Sequence, residues 1–318
     1  MSKDITNSDY QFNHKHLLGL YDYSKEDILY VLEQAKYFRE ILDRPVPKVP
    51  TLRDKTIVNL FYENSTRTRL SFELAQKRMG ADVVNFSAGS SSVKKGESLK
   101  DTIQNISSMK IDMVVVRHKS PGVPHFLTRC VDAAIINAGD GAHEHPTQAL
   151  LDLFTMQQIY PDLSGKNIAI IGDIDHSRVV RSNIIGLLKL GANVTICGPK
   201  TLMPAYADEL GANVSYNLDE TLAWCDIAMA LRIQLERQDS GTELFPSIRE
   251  YHQTFGIKME HLEKYPDFTV MHPGPVNRGV EMESEVADSD RSIILSQVTN
   301  GVAVRMAVLY LLSGGTRV

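Results

Sequence analysis

The sequence predicts an α/β fold of two domains, each a mostly parallel sheet flanked by helices, with the active site in the cleft between them. Three observations carry that expectation. Short apolar runs of strand length alternate with helical patterns along nearly the whole chain, the arrangement of parallel sheets covered by helices. Pro161 and Gly165 end one helix and a second α/β series starts at Asn167, so the chain reads as two α/β domains with the boundary near residue 148, inside or beside the connecting helix. Polar clusters recur where the apolar runs stop, and in open α/β sheets ligands bind at the strand ends. The expected domains are residues 1–148, completed by a C-terminal helix over 300–318, and residues 149–299.

Taken in order, Ser24-Lys25-Glu26-Asp27 opens a helix with capping chemistry, and Ile28, Leu32, Ala35 and Phe38 continue it at helical spacing. Pro45, Pro47 and Pro50 then break the chain. Strands are expected over 56–62, 82–86, 112–117 and 133–137, with helices over 67–79 and 97–109 between them. His145-Pro146-Thr147-Gln148 starts the next helix, with proline well placed in its first turn; it runs to Tyr160. The second series reads as a strand over 167–172, a helix from Ser177 to Leu190, and strands over 193–198, 226–231 and 268–271. A long apolar helix over 301–312 closes the pattern.

The 318 residues suffice for one large or two ordinary domains. At 43% apolar and 23% charged residues the composition is that of a globular protein. A net charge of −5 argues against a nucleic-acid or anionic-membrane surface as the main partner. It leaves room for a basic pocket inside a cleft. Cys130, Cys197 and Cys225 are odd in number and far apart, which argues against a disulfide framework or a metal site and for a reducing cytoplasm. The polar start has no apolar signal core, and no run approaches eighteen apolar residues, so neither a leader nor a membrane span is expected.

Six polar groups stand out. Ser65-Thr66-Arg67-Thr68-Arg69 falls where a strand passes into a helix. A cap needs one hydroxyl; three hydroxyls interleaved with two guanidiniums make an anion site. The segment from Ser90 through Ser91, Lys94 and Lys95 to Glu97 lacks Walker spacing and, taken alone, reads as a solvated basic loop. Arg117-His118 reads equally as a surface cap and as a cleft ligand. Gly139-Asp140-Gly141 permits a tight turn, and beyond it His145 and Gln148 can face one pocket, His145 as a donor to an oxygen that gains charge. Gly172 to Arg178 sits where a dinucleotide loop would, but G-x-G-x-x-G is missing, so no cofactor is expected. Arg178 there is a further candidate anion ligand. Arg232 and Gln234 share a face if extended. In His272-Pro273-Gly274-Pro275 the prolines leave neighbouring carbonyls free for a ligand's NH₂ group; the same residues also suit an exposed loop and a structural turn. No Ser-His-Asp arrangement, paired carboxylates or metal-ligand spacing accompanies these groups, which suggests positioning and electrostatic catalysis.

On these residues the chain resembles the aspartate carbamoyltransferases, in their catalytic chain, within the aspartate/ornithine carbamoyltransferase superfamily. The likeness runs from His16-Leu17-Leu18-Gly19 to Gln297-Val298-Thr299-Asn300-Gly301-Val302-Ala303-Val304-Arg305. Ser-Thr-Arg-Thr-Arg is shared across carbamoyltransferases, as is His145-Pro-Thr-Gln148. Arg232-x-Gln234 and His272-Pro-Gly-Pro-Val-Asn-Arg278 are similar to the aspartate enzymes. The His-Cys-Leu-Pro stretch and Ser-Met-Gly loop typical of ornithine enzymes are absent, and Lys119 stands where relatives often have proline.

The resemblance implies transfer of a carbamoyl group from carbamoyl phosphate to L-aspartate, giving N-carbamoyl-L-aspartate and phosphate, an early step of pyrimidine synthesis. It implies that Ser65, Thr66, Arg67, Thr68 and Arg117 hold the phosphate, that Thr68, Arg117 and His145 polarise the carbonyl, and that Gln148 with the carbonyls near Pro273 and Gly274 holds the NH₂. Arg178, Arg232, Gln234 and Lys95 would hold the aspartate carboxylates. In the family the loop bearing Ser91 and Lys95 enters a neighbouring subunit's site, so a homotrimer with shared sites is the expected minimum assembly. Whether a regulatory chain or a dihydroorotase binds stays open. The competing readings are a carbamoyltransferase for another amine such as ornithine, a non-catalytic homologue in a pyrimidine-pathway complex, and a nucleotide-cofactor oxidoreductase.

Overall fold

A computed structural model of the chain describes residues 10–87, 97–234 and 247–315. Two parallel sheets form its frame. In the first, β1 (Thr56–Phe61), β2 (Asp82–Ser87), β3 (Met113–His118) and β4 (Ala134–Asp140) lie in the order β2-β1-β3-β4. In the second, β5 (Asn167–Ile171), β6 (Asn193–Cys197), β7 (Asn213–Ser215), β8 (Ile227–Ala230) and β9 (Thr269–Met271) lie in the order β7-β6-β5-β8-β9. Every pairing is parallel. Strands such as β4 and β8 are buried along their whole length, as continuous apolar runs demand when helices cover both faces.

The first sheet is flanked by α1 (Lys25–Leu42), α2 (Thr66–Arg78), α3 (Leu99–Ser107) and α4 (Val123–Thr128). Ser24 opens α1 through a full capping box with Asp27. The helix α5 (Pro146–Gln157) leads from the first sheet towards the second and packs on α6 (Arg178–Lys189). Shorter helices α7 (Leu218–Trp224), α8 (Ile248–Phe255), α9 (Met259–Lys264) and α10 (Ser284–Ala287) cover the second sheet. Then α11 (Ile294–Leu312) returns to pack against α1, α5 and α2. By length and composition α11 would cross a membrane, but most of its surface is buried within the fold.

Several boundaries differ from the sequence expectation for physical reasons. The strand expected to stop at Asn137 runs to Asp140 because β4 bulges: Val116 pairs with Asn137 while His118 pairs with Asp140. The helix expected from Gly301 begins at Ile294. Its first turns look polar, but Gln297 and Asn300 are buried because they bond to Asp152 and Thr155 on α5. The three-residue β7 and the short helices α4 and α7–α10 were too brief for a periodic signal.

Candidate active site

Each sheet of this kind has a switch point, where neighbouring strands send their connections to opposite faces. In the first sheet it lies between β1 and β3, and in the second between β5 and β8. The carboxyl ends of these strands and their neighbours meet at one cavity of about 520 Å³. Five arginines, Arg67, Arg117, Arg178, Arg232 and Arg305, stand among its described lining residues against a single acidic one, Glu63.

From β1 come Ser65, Thr66, Arg67 and Thr68, all on the cavity wall. Ser65 is the N-cap of α2 in extended geometry, yet its hydroxyl makes no cap bond. No acidic residue occupies the first turn. The helix start therefore keeps its N–H groups and positive end for an anion. Burial, and then Arg232 across the cleft, lower the pKa of the Arg67 guanidinium, as expected where cations converge.

Arg117, near the end of β3, donates to the Ala138 carbonyl at 3.1 Å and to Glu63 Oε1 at 2.8 Å. The β4 bulge supplies both the carbonyl and the space. Gly139 has φ +115°, and a Cβ there would lie 3.0 Å from Arg178 Nε and 3.1 Å from Arg117 Nη1. A side chain at Gly139 would strain the backbone and push on both guanidiniums. Arg178, the first residue of α6, is 2% exposed. It holds Glu63 Oε2 at 3.1 Å through Nη1 and Glu63 Oε1 through Nη2. Glu63 thus braces one arginine from each sheet.

His145 is the N-cap of α5, and its backbone N–H donates to Ser182 Oγ on α6 at 2.9 Å. Ser182 donates in turn to Glu144 Oε2 at 2.9 Å, which also accepts the Leu20 N–H at 2.9 Å. Burial raises the Glu144 carboxyl, and these two donors offset part of that effect. Gln148, in the first turn of α5, lines the cavity and donates through Nε2 to Asp152 Oδ1 at 3.0 Å. Asp152 is fully buried, and its pKa rises to about 6 because burial outweighs its amide donors.

The second sheet contributes Arg232 and Gln234 after β8 and Pro273 and Gly274 after β9, all on the cavity wall. The Gln234 N–H donates to the buried Asp173 at 3.2 Å. His272 accepts the Gly274 N–H on Nδ1 at 2.8 Å and donates from Nε2 to Glu281 at 3.1 Å. These bonds fix the turn that carries Pro273 and Gly274. Two candidates, Ser91 and Lys95, lie outside the described residues. The structure brings the other twelve together.

Sequence reasoning missed Glu63, Asp152, Gln297 and Arg305 as site groups. Glu63 stood two places before a conspicuous cationic run. Asp152 carried a legible sign, a carboxylate one turn after Gln148 and set between Leu150-Leu151 and Leu153-Phe154. Arg305 lies on α11, where Nη1 donates to Ser71 Oγ and the Gly301 carbonyl at 3.0 and 2.9 Å. Burial lowers its pKa to about 10, so it stays cationic at neutral pH.

Comparison with known families agrees with this geometry. The family described as "Aspartate/ornithine carbamoyltransferase, carbamoyl-P binding domain" matches residues 15–158, and its companion "Asp/Orn binding domain" matches residues 164–312. The chain belongs to the aspartate/ornithine carbamoyltransferase family. Among relatives, it is 58% identical over 305 residues to the aspartate carbamoyltransferase catalytic subunit of Cytophaga hutchinsonii, covering 96% of this chain and 99% of that one. The Trypanosoma cruzi aspartate transcarbamoylase, solved with N-(phosphonacetyl)-L-aspartic acid, is 30% identical with a TM-score of 0.83, over 93% and 94% of the two chains. The Pyrococcus furiosus ornithine carbamoyltransferase is 27% identical with a TM-score of 0.82, over 95% and 98%. The backbone of this chain thus resembles those of an aspartate and an ornithine enzyme alike.

Proposed function

We propose that this chain transfers the carbamoyl group of carbamoyl phosphate to the amine of L-aspartate, releasing phosphate. One observation carries the reading: five arginines, drawn from both sheets and α11, face a single cavity with only Glu63 as a described acidic lining residue. The substrate pair brings a phosphate and two carboxylates, which calls for such a cluster. Ornithine would place a cation beside Arg178 and Arg232. The 58% identical relative from Cytophaga hutchinsonii is an aspartate enzyme, which supports the same acceptor.

The roles follow from position. Ser65, Thr66, Arg67 and Thr68 hold the phosphate at the start of α2, joined by Arg117. The amine attacks the carbonyl carbon and charge builds on the oxygen, where Thr68, Arg117 and His145 donate. Each such donor contributes about 2.7–4 kcal/mol, by analogy with oxyanion-hole deletions. Orienting the two reactants adds about 7–11 kcal/mol. Arg178, Arg232 and Gln234 take the aspartate carboxylates, with Lys95 as a further ligand. The departing phosphate accepts the amine proton.

The loop bearing Ser91 and Lys95 completes the site of a neighbouring copy in a homotrimer, in a reducing cytoplasm. The three free cysteines accord with that compartment. Steady-state assays with aspartate and ornithine as rival acceptors test the activity, and native mass measurement tests the assembly. Carbamoylation of ornithine in preference to aspartate overturns the acceptor; a monomer at assay concentration overturns the shared site.

A further inference from the structure

The carboxylate of Asp152 is surrounded by amide donors. Gln148 Nε2 and Gln297 Nε2 donate to Oδ1 at 3.0 and 2.7 Å, and Asn183 Nδ2 donates to Oδ2 at 3.0 Å. The three side chains come from α5, α11 and α6. An ionised carboxylate only accepts hydrogen bonds, whereas an amide has a donor end and an acceptor end. Each amide is therefore turned with its NH₂ towards Asp152 and its carbonyl away. Asn183 keeps this orientation although its own Oδ1 is buried without a partner. The Gln297 carbonyl accepts the His272 N–H at 2.9 Å, at the base of the Pro273-Gly274 turn. Gln148 lines the cavity, and with its NH₂ committed to Asp152 the carbonyl is the end of the amide left to accept from a ligand there.

We infer that Asp152 is the positioning residue that makes the cavity select a carbamoyl donor, because it pins the Gln148 amide with its oxygen, not its NH₂, towards the substrate. The inference rests on the carbamoyl transfer proposed above. A carbamoyl group and an acetyl group have nearly the same shape. The carbamoyl NH₂ donates hydrogen bonds to the Gln148 oxygen and to the carbonyls of the Pro273-Gly274 turn; the acetyl methyl donates none and leaves those oxygens unpaired. A site built around such a pairing rejects the analogue lacking it by up to ~10⁴-fold. A reversed Gln148 amide would set NH₂ against NH₂ and erase the preference.

Asp152→Asn tests this, since asparagine keeps the volume but offers one acceptor and one donor to three amides. The readouts are kcat/KM for carbamoyl phosphate and the competitive Ki of acetyl phosphate. They are measured in the wild type, Asp152→Asn, Gln148→Ala and the double variant. The expected result is a loss of about 10- to 100-fold on carbamoyl phosphate, the size of one misdirected charge-assisted hydrogen bond, with the acetyl phosphate Ki within about threefold. Most of that loss should vanish in the Gln148→Ala background, as coupling through one partner requires. Equal losses on both ligands, or a loss undiminished without Gln148, overturn the inference. A wild-type chain that does not carbamoylate aspartate instead removes the reaction proposed above, and the donor selection with it. If Asp152→Asn fails to fold, neutron diffraction of wild-type crystals decides. Deuterium on the Gln148 atom facing Asp152 supports the inference, and deuterium on the atom facing the cavity overturns it.

Discussion

Arg67 and Arg232 approach each other from different sheets, and the separate duties proposed for them can be told apart by kinetics. Arg67 stands in the first turn of α2 with its side chain open to the cleft and near Gly274. Arg67→Ala should lower kcat/KM for carbamoyl phosphate by about a hundredfold or more while the melting temperature stays close to that of the wild type. Near-normal turnover would refute its placement on the phosphate. Arg232→Ala should chiefly raise the KM for aspartate; a defect confined to carbamoyl phosphate would mean that the two pockets are misassigned. A third residue gives a pH test. His143 Nδ1 lies 3.1 Å from Asp140 Oδ2. The hydrogen bond and charge of Asp140 raise the His143 pKa above its ordinary 6.5, against burial. Protonation thus favours the folded state, and this contribution is whole below pH 6.5 and fades as pH rises through the raised value. His143→Gln should therefore lose more thermal stability at about pH 5.5 than at about pH 9; a deficit that grows with pH contradicts the pairing. At this scale the sequence spoke clearly wherever chemistry was overdetermined, as in the hydroxyl-arginine run. It was silent on Glu63 because one carboxylate in a loop signals nothing until its two arginines arrive from a distant strand and a distant helix.

The packing of α5 on α6 depends on Gly186, where a Cβ would come within 2.7 Å of Leu153 Cδ1 and 3.3 Å of Leu20 Cδ1. Leu153 and Leu20 are both fully buried, so neither can simply swing aside. Gly186→Val should destabilise the fold by about 1–3 kcal/mol through overpacking, read as a lower denaturant midpoint at unchanged slope. A variant as stable as the wild type would show that the two helices can part without cost. Long strands and helices were legible because each repeats its period several times: α1, β1, α5 and β5 begin within a residue or two of where the pattern places them. The beginning of α11 was illegible because Gln297 and Asn300 look like surface residues. Only the acceptors on α5 make them interior ones. The β4 bulge was hidden for a similar reason: Gly139 and Gly141 suggested a turn, and the pairing with β3 extends the strand through the first of them.

Across the whole molecule, Lys189 at the end of α6 donates to the carbonyls of Leu20, Tyr21 and Tyr23, just before α1. One ammonium thus ties the second sheet's leading helix to the entrance of the first unit. Lys189→Ala should cost about 1–3 kcal/mol, because partly buried carbonyls lose a charged donor. Calorimetry checks this, and an unchanged melting temperature rules the tether out. That two sheets would share one cleft followed from the restart of the α/β pattern. That their switch points would face each other did not, since strand order is set by crossovers that sequence spacing leaves open. The long return of α11 adds a consequence for biosynthesis. Arg305 meets Ser71 across a sequence separation of 234 residues. A ribosome must therefore add more than two hundred residues after α2 before the helix that shelters it exists, and until then the nascent amino-terminal half must wait with an apolar flank uncovered, a natural client for a chaperone.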